Sequence, residues 1–244
     1  MSFDFNIILY IIFGVIPSLT WLAYYLRKDS HPESNSMVLR IYAWGAAITL
    51  PVLFIQIGSS YLLKDMGFNP LIASLIYWFI VISLSEEFFK YLVIKLRVLN
   101  SPHLDEPVDI MIYMVIAALG FAAVENVMYM FVPVGQFSFA FILDRTLKLS
   151  LIRFVGGTFL HTLCSAIIGY AVAISLCDQK NRRLEATAGI IMAVVLHGIY
   201  DFSIIVLEGN LKIIVPIAIL IILAIFTSLG FEQLKKLKSV CILK

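Results

Sequence analysis

Seven ionisable side chains interrupt stretches that are otherwise apolar enough to span a bilayer: Glu86, Glu87 and Lys90 in one, Glu125 in the next, His161 in a third, His197 and Asp201 in a fourth. An Asp, Lys or Arg at the centre of a membrane helix costs about 2.5–3.5 kcal/mol on insertion scales, so such a set persists only if its members pair or bind something. Carboxylates with imidazoles are the inventory that binds a hard or borderline metal ion or moves protons.

The spacings group these residues. Glu86 and Lys90 are i,i+4 and Glu87 and Lys90 are i,i+3, so all three share one helix face. One ion pair neutralises one carboxylate and leaves the other. Two close carboxylates do not readily both ionise, which suits either Glu86 or Glu87 to act as general base. Glu125 stands one turn after Phe121, behind Gly120, and is followed by Asn126, a residue suited to interhelical hydrogen bonding. His161 alone would read as a satisfied bundle histidine; acidic and imidazole groups on three other helices make it a site residue. His197 and Asp201 are again i,i+4, so Asp201 is placed either to bind a metal beside His197 or to fix its ring.

The elements that must position these groups are membrane helices. Of 244 residues, 61% are hydrophobic and 14% charged, and the mean hydropathy is +0.97. That composition excludes a soluble globular domain. Seven apolar spans are predicted, 5–26, 41–63, 70–96, 108–131, 151–176, 187–207 and 211–231, each near the ~20 residues a helix needs to cross the hydrocarbon core. The expected fold is therefore an all-α polytopic transmembrane bundle, one integral membrane domain over 1–244 with its polar core at about 70–205. The polar gaps 27–40 and 176–183 read as loops. With the N-terminus outside, eleven Lys and Arg fall on the inner side and four on the outer, which predicts N-outside and C-inside. Lys95 and Arg153 lie near span ends, where they can snorkel. The net charge of +2 comes from scattered helix-end residues and is no nucleic-acid signal. Cys164, Cys177 and Cys241 have no metal spacing and read as free thiols without a structural role; Lys244 ends a poor prenylation box.

The ordered motifs Glu86-Glu87-Phe88-Phe89-Lys90, Phe121 to Glu125-Asn126, His161, and His197 to Asp201 resemble the PrsW family of intramembrane proteases, within the larger group of CAAX-processing and bacteriocin-processing membrane proteases. The resemblance covers about residues 70–205. CAAX-processing relatives carry His where Glu125 stands, and Asn is common where Asp201 stands; both departures point to the PrsW branch. The resemblance implies site-one cleavage of a single-pass anti-sigma factor in the bacterial cytoplasmic membrane.

The residues themselves are consistent with peptide hydrolysis. Gly-x-Ser-x-Gly and His-Glu-x-x-His are absent, and only one Asp is deeply intramembrane. Two routes stay open. Either His161 and His197 hold Zn²⁺ with a carboxylate drawn from Glu125, Asp201, Glu86 or Glu87 and another Glu as base, or Glu86 and His161 activate water without metal. The candidate catalytic residues are thus Glu86, Glu87, Glu125, His161, His197 and Asp201, supported by Lys90, Phe121 and Asn126. Tyr129 and Phe131 are placed to flank an entrance, and a loop over 132–150 with Pro133, Gly135 and Gln136 to cover it. The competing classes are a proton- or ion-coupled transporter, for which inverted repeats are lacking, and an inactive immunity or scaffold protein, which should have lost a motif residue.

Overall fold

The computed structural model describes residues 5–28, 32–102, 104–131, 138–177 and 181–237, and these contain helices and no strand. Eight helices follow in order: α1 Phe5–Leu26, α2 Asn35–Asp65, α3 Pro70–Arg97, α4 Pro107–Met130, α5 Phe139–Val155, α6 Gly157–Cys177, α7 Arg182–Ile205 and α8 Leu211–Lys236. Seven helical segments are long and apolar enough to cross a membrane, with α5 and α6 forming one segment interrupted at Gly156.

Helix α2 begins earlier than expected. Ser34 caps it, its side chain accepting from the Met37 amide at 3.4 Å, so residues 35–40 at the end of the polar stretch are helix rather than loop. Helix α3 is π-helical over Ile76–Ser83. There the Ser83 hydroxyl donates to the Trp78 carbonyl at 2.6 Å, five residues back. Such a segment re-phases the helix face just before Glu86, and π-turns gather at functional sites.

Helix α4 is the centre of the bundle. In its most apolar stretch, 94% of residues are buried. Its N-terminus carries Pro107 at the first turn, and Asp109 accepts from the Glu106 amide at 2.7 Å, so the exposed amides are satisfied. Helices α1, α2 and α6 wrap it. Small residues set the distance: Gly45 of α2 lies against the Ala117 carbonyl and Gly120 of α4 against the Tyr42 carbonyl. A Cβ at either position would run into backbone, so two helices meet there main chain to main chain.

Two expectations need correction. The 138–150 part of the supposed covering loop is the capped helix α5, whose Ser138 side chain accepts from Phe141 N at 3.3 Å; Pro133, Gly135 and Gln136 lie outside the described residues. Asp144, Arg145 and Lys148 had masked its helical character, yet Asp144 and Lys148 simply pair on its exposed face at 2.8 Å. Cys164 is a buried free thiol, as expected. Cys177, by contrast, is disulfide-bonded.

Candidate active site

All six candidate catalytic side chains converge. Helix α3 presents Glu86, Glu87 and Lys90, α4 presents Glu125, α6 presents His161, and α7 presents His197 and Asp201. They meet at a cavity of roughly 330 Å³ whose wall includes Glu86, Glu125, Arg153, His161, His197 and Asp201.

The two adjacent carboxylates have different surroundings. Glu87 is saturated: Oε1 accepts from Lys90 Nζ at 2.8 Å and faces His197 Nδ1 at 2.9 Å, while Oε2 accepts from Ser165 at 3.3 Å. Glu86 Oε1 accepts from the Gln56 amide at 3.0 Å. Its Oε2, fully buried, makes no hydrogen bond. That oxygen stands 3.6 Å from His161 Nδ1, 3.9 Å from His197 Nε2 and 3.6 Å from Lys90 Nζ. A buried carboxylate oxygen without a partner is costly and calls for an explanation.

Each imidazole is held from behind by a carboxylate. His161 Nε2 faces Glu125 Oε2 at 2.8 Å. Its Nδ1 lies 2.8 Å from Lys90 Nζ. An ammonium only donates, so Nδ1 accepts and the Nε2 proton goes to Glu125. For His197, Glu87 holds Nδ1 and leaves Nε2 facing Asp201 Oδ2 at 3.2 Å and Glu86. Phe121 sits edge-on to His161 with centroids 5.5 Å apart and offers its face to Lys90 at 4.5 Å. The ammonium therefore has a carboxylate, an imidazole and a ring around it, as a desolvated cation requires.

Asn126 and Thr158 support the site from outside it. The Asn126 amide donates to Thr158 Oγ1 at 2.9 Å and to the Gly14 carbonyl at 3.1 Å, tying α1, α4 and α6 together. Its oxygen accepts from Arg153 Nε at 2.6 Å. Arg153 is the largest departure from the sequence reading. It does not snorkel; it turns inward from the last turn of α5, pairs with Glu125, and lies 4.6 Å from the Tyr129 ring. Gln56 and Ser165 were also missed. Gln56 carried a signal, as an amide in an apolar span.

Among the described residues, Glu86, His161 and His197 are the group whose ligand atoms all lie within 4.8 Å of one another. Glu86 is thus the carboxylate whose position suits a shared ligand set with both imidazoles, while Glu125 and Asp201 each face one ring. The donor chemistry fits a metal ion: two imidazoles and a carboxylate are a known catalytic zinc set, and Glu86 Oε2 lacks a partner; His161 Nδ1 joins the set once Lys90 withdraws from it to its carboxylates. Charge agrees. Four carboxylates (Glu86, Glu87, Glu125, Asp201) face two cations (Lys90, Arg153), leaving an excess of about two negative charges that a divalent ion offsets when all are ionised and the imidazoles neutral.

A protein-family model described as "PrsW family intramembrane metalloprotease" matches residues 33–232. Protease PrsW of Geobacillus kaustophilus is 30% identical over 198 residues, covering 80% of this chain and 79% of the relative. Protease PrsW of Oceanobacillus iheyensis is 27% identical over 85% of this chain and 88% of its own length. That of Bacillus subtilis is 25% identical over 93% and 94%. No solved structure matches the chain. With the family model spanning most of the sequence and the acidic–imidazole cluster assembled on α3, α4, α6 and α7, this multi-pass membrane protein belongs to the PrsW family of intramembrane metalloproteases.

Proposed function

We propose that the chain cuts a single-pass membrane protein beside or within the bilayer, and that its role is site-one cleavage of an anti-sigma factor. The observation that carries the chemistry is the unpartnered, buried Glu86 oxygen facing two imidazoles on a cavity wall. The substrate rests on the family resemblance, and the N-outside orientation on the distribution of Lys and Arg.

Glu86, His161 and His197 would hold the ion, zinc by donor type. Bound there, it would supply a Lewis acid and a readily deprotonated water. Glu125 and Glu87 orient the two rings, as carboxylates behind metal-binding histidines do. Glu87 is absent from the cavity wall and has both oxygens engaged, so it positions His197 and Lys90 rather than taking a proton from substrate water. Asp201 is the most solvent-accessible carboxylate of the cluster, at 22% of its side chain. Its Oδ1 accepts the proton of the attacking water and returns it to the leaving amine. Arg153, on the same wall, donates to the oxygen that becomes negative as the carbonyl is attacked. The substrate backbone must be extended at the cut, because a helical carbonyl is engaged in its own ladder.

Purified protein tests this with two variants and two readouts. Glu86→Gln is expected to lose both bound zinc and cleavage of a single-pass reporter. Asp201→Asn is expected to keep zinc and lose cleavage by at least ~100-fold, the scale of general acid–base catalysis. Full zinc in Glu86→Gln, or near-normal cleavage by Asp201→Asn, would overturn these roles; wild-type protein free of zinc and active under chelation would return Glu86 to the part of metal-free base.

A further inference from the structure

The far end of the α2–α3 hairpin differs from the rest of the bundle. From Leu53 to Ile80 no residue is buried. The buried residues of α2 all lie between Met37 and Val52, and the first turn of α3 has none. The arm nevertheless reaches the catalytic centre: Gln56 bonds Glu86, and Tyr77 and Trp78 form part of the catalytic cavity wall.

A second cavity of roughly 530 Å³ lies along this arm, between α2 and α3. Its lining includes Ser60, Lys64, Phe68, Ser74, and again Tyr77 and Trp78. The two cavities therefore share one partition. Tyr77 and Trp78 pack edge to face, centroids 5.2 Å apart, and both belong to the π-helical stretch. Lys64 is the charged residue of the groove; its ammonium lies 5.9 Å from the Tyr61 ring.

We infer that this groove is a substrate subsite: it takes the extended segment of the cleaved protein that lies between the cut and the membrane surface, and Lys64 selects an acidic side chain on it. The inference rests on the proposed cleavage of single-pass proteins. Three observations lead to it. The groove adjoins the catalytic cavity, with Tyr77 and Trp78 as their common wall. It offers the Ser74 hydroxyl, and the oxygen of Ser60 as an acceptor since its proton goes to the Ile57 carbonyl, to a strand that has left its helix and needs partners for its backbone. Its charge is positive and sits at the hairpin end. The spacing follows from helix geometry: Lys64 is eight residues beyond Gln56, about 12 Å along α2. At ~3.3 Å per extended residue, the preferred acidic residue falls about four positions from the cut.

The test uses full-length protein in vesicles and three single-pass reporters that differ at that position only, carrying Glu, Gln or Lys, with the cut mapped by mass spectrometry. Wild-type protein is expected to cleave the Glu reporter about threefold to fivefold faster than the Lys reporter, the size of a semi-exposed ion pair. Lys64→Glu is expected to invert that order. Inversion includes a gain on the Lys reporter, which a misfolded variant cannot show. In a second arm, Ser74→Cys carrying a bulky maleimide is expected to stop reporter cleavage while zinc content stays as in wild type. An unchanged order in Lys64→Glu, or full cleavage by the labelled Ser74→Cys protein, overturns the subsite and sends the substrate in by the lipid-facing Ile152 and Ile205 side of the catalytic cavity. If wild type cuts none of the reporters, the proposed function itself fails and takes the subsite with it.

Discussion

Helix α4 and the far end of the α2–α3 hairpin both build the catalytic cavity, α4 with Glu125 and Tyr129, the hairpin with Gln56, Tyr77 and Trp78. Helix α4 does so from the interior of the bundle: from Val108 to Ala123 every residue is buried, and at Gly120 the neighbouring main chain leaves no room for a side chain. The hairpin does so with nothing buried over its outer 28 residues, 53–80, and with Gly58 facing open space. Groups that must keep their geometry thus stand on the packed element, and the proposed path of the substrate runs along the hairpin end with no buried residue.

The contrast can be tested most severely at Glu125. Removing its charge leaves Arg153 buried beside Asn126 and Tyr129 without its anion, and broken buried pairs cost about 3–5 kcal/mol. Glu125→Gln should lower the melting temperature in detergent strongly, and adding Arg153→Met should recover most of the loss. A Glu125→Gln protein as stable as wild type would mean that α4 tolerates an unpaired cation and is less rigid than its packing says. Glycines sharpen the comparison at a smaller scale. Gly120→Ala should destabilise by about 1–3 kcal/mol or more, because its methyl group meets the Tyr42 carbonyl. Gly58→Ala meets nothing within 4 Å and should be neutral or stabilising by about 0.4–1 kcal/mol. Equal effects in paired unfolding curves would erase the distinction between core and arm. A change in cleavage rather than in stability is expected at Gln56→Leu, which withdraws the arm's one hydrogen bond to Glu86. Stability should barely change, while cleavage should fall about fivefold to tenfold, in keeping with a net ~1 kcal/mol hydrogen bond. A drop in stability as large as that of Gly120→Ala would show that Gln56 anchors the arm rather than tuning Glu86.

The sequence carried the membrane spans and the meeting of Glu86, Glu87, Glu125, His161, His197 and Asp201, because ionisable groups in apolar helices have few places to go other than toward each other. It did not carry the division of labour. Glu86 and Glu87 are indistinguishable as neighbours in sequence; Ser165 bonds Glu87 alone, and Lys90 donates to Glu87 at 2.8 Å while standing 3.6 Å from Glu86. Arg153 read as a snorkelling residue because its place near a span end permits that; its guanidinium instead lies over Gly157, which leaves it room, and pairs with Glu125. Helix α5 was hidden by Asp144, Arg145 and Lys148, whose charges lower hydropathy without disturbing the helix: Asp144 and Lys148 pair on its exposed face, and Arg145 donates to the Met130 and Tyr129 carbonyls at the end of α4. The π-helical register of Ile76–Ser83 leaves no trace in hydrophobic periodicity, since that stretch is apolar on every side.

The pairing pattern also bears on how the chain is made. Glu87 and Lys90 emerge within one turn of the same helix and meet at 2.8 Å, so α3 enters the bilayer with that pair already formed. Glu125 has no such neighbour on α4. Its cation, Arg153, is 28 residues further along the chain, and its imidazole partner, His161, 36. During synthesis α4, the helix destined for the centre, must therefore wait at the insertion machinery or beside α3 until α5 and α6 arrive. The order of translation then makes the catalytic cluster a late checkpoint of assembly: the bundle closes around α4 when the last partner of Glu125 has been threaded.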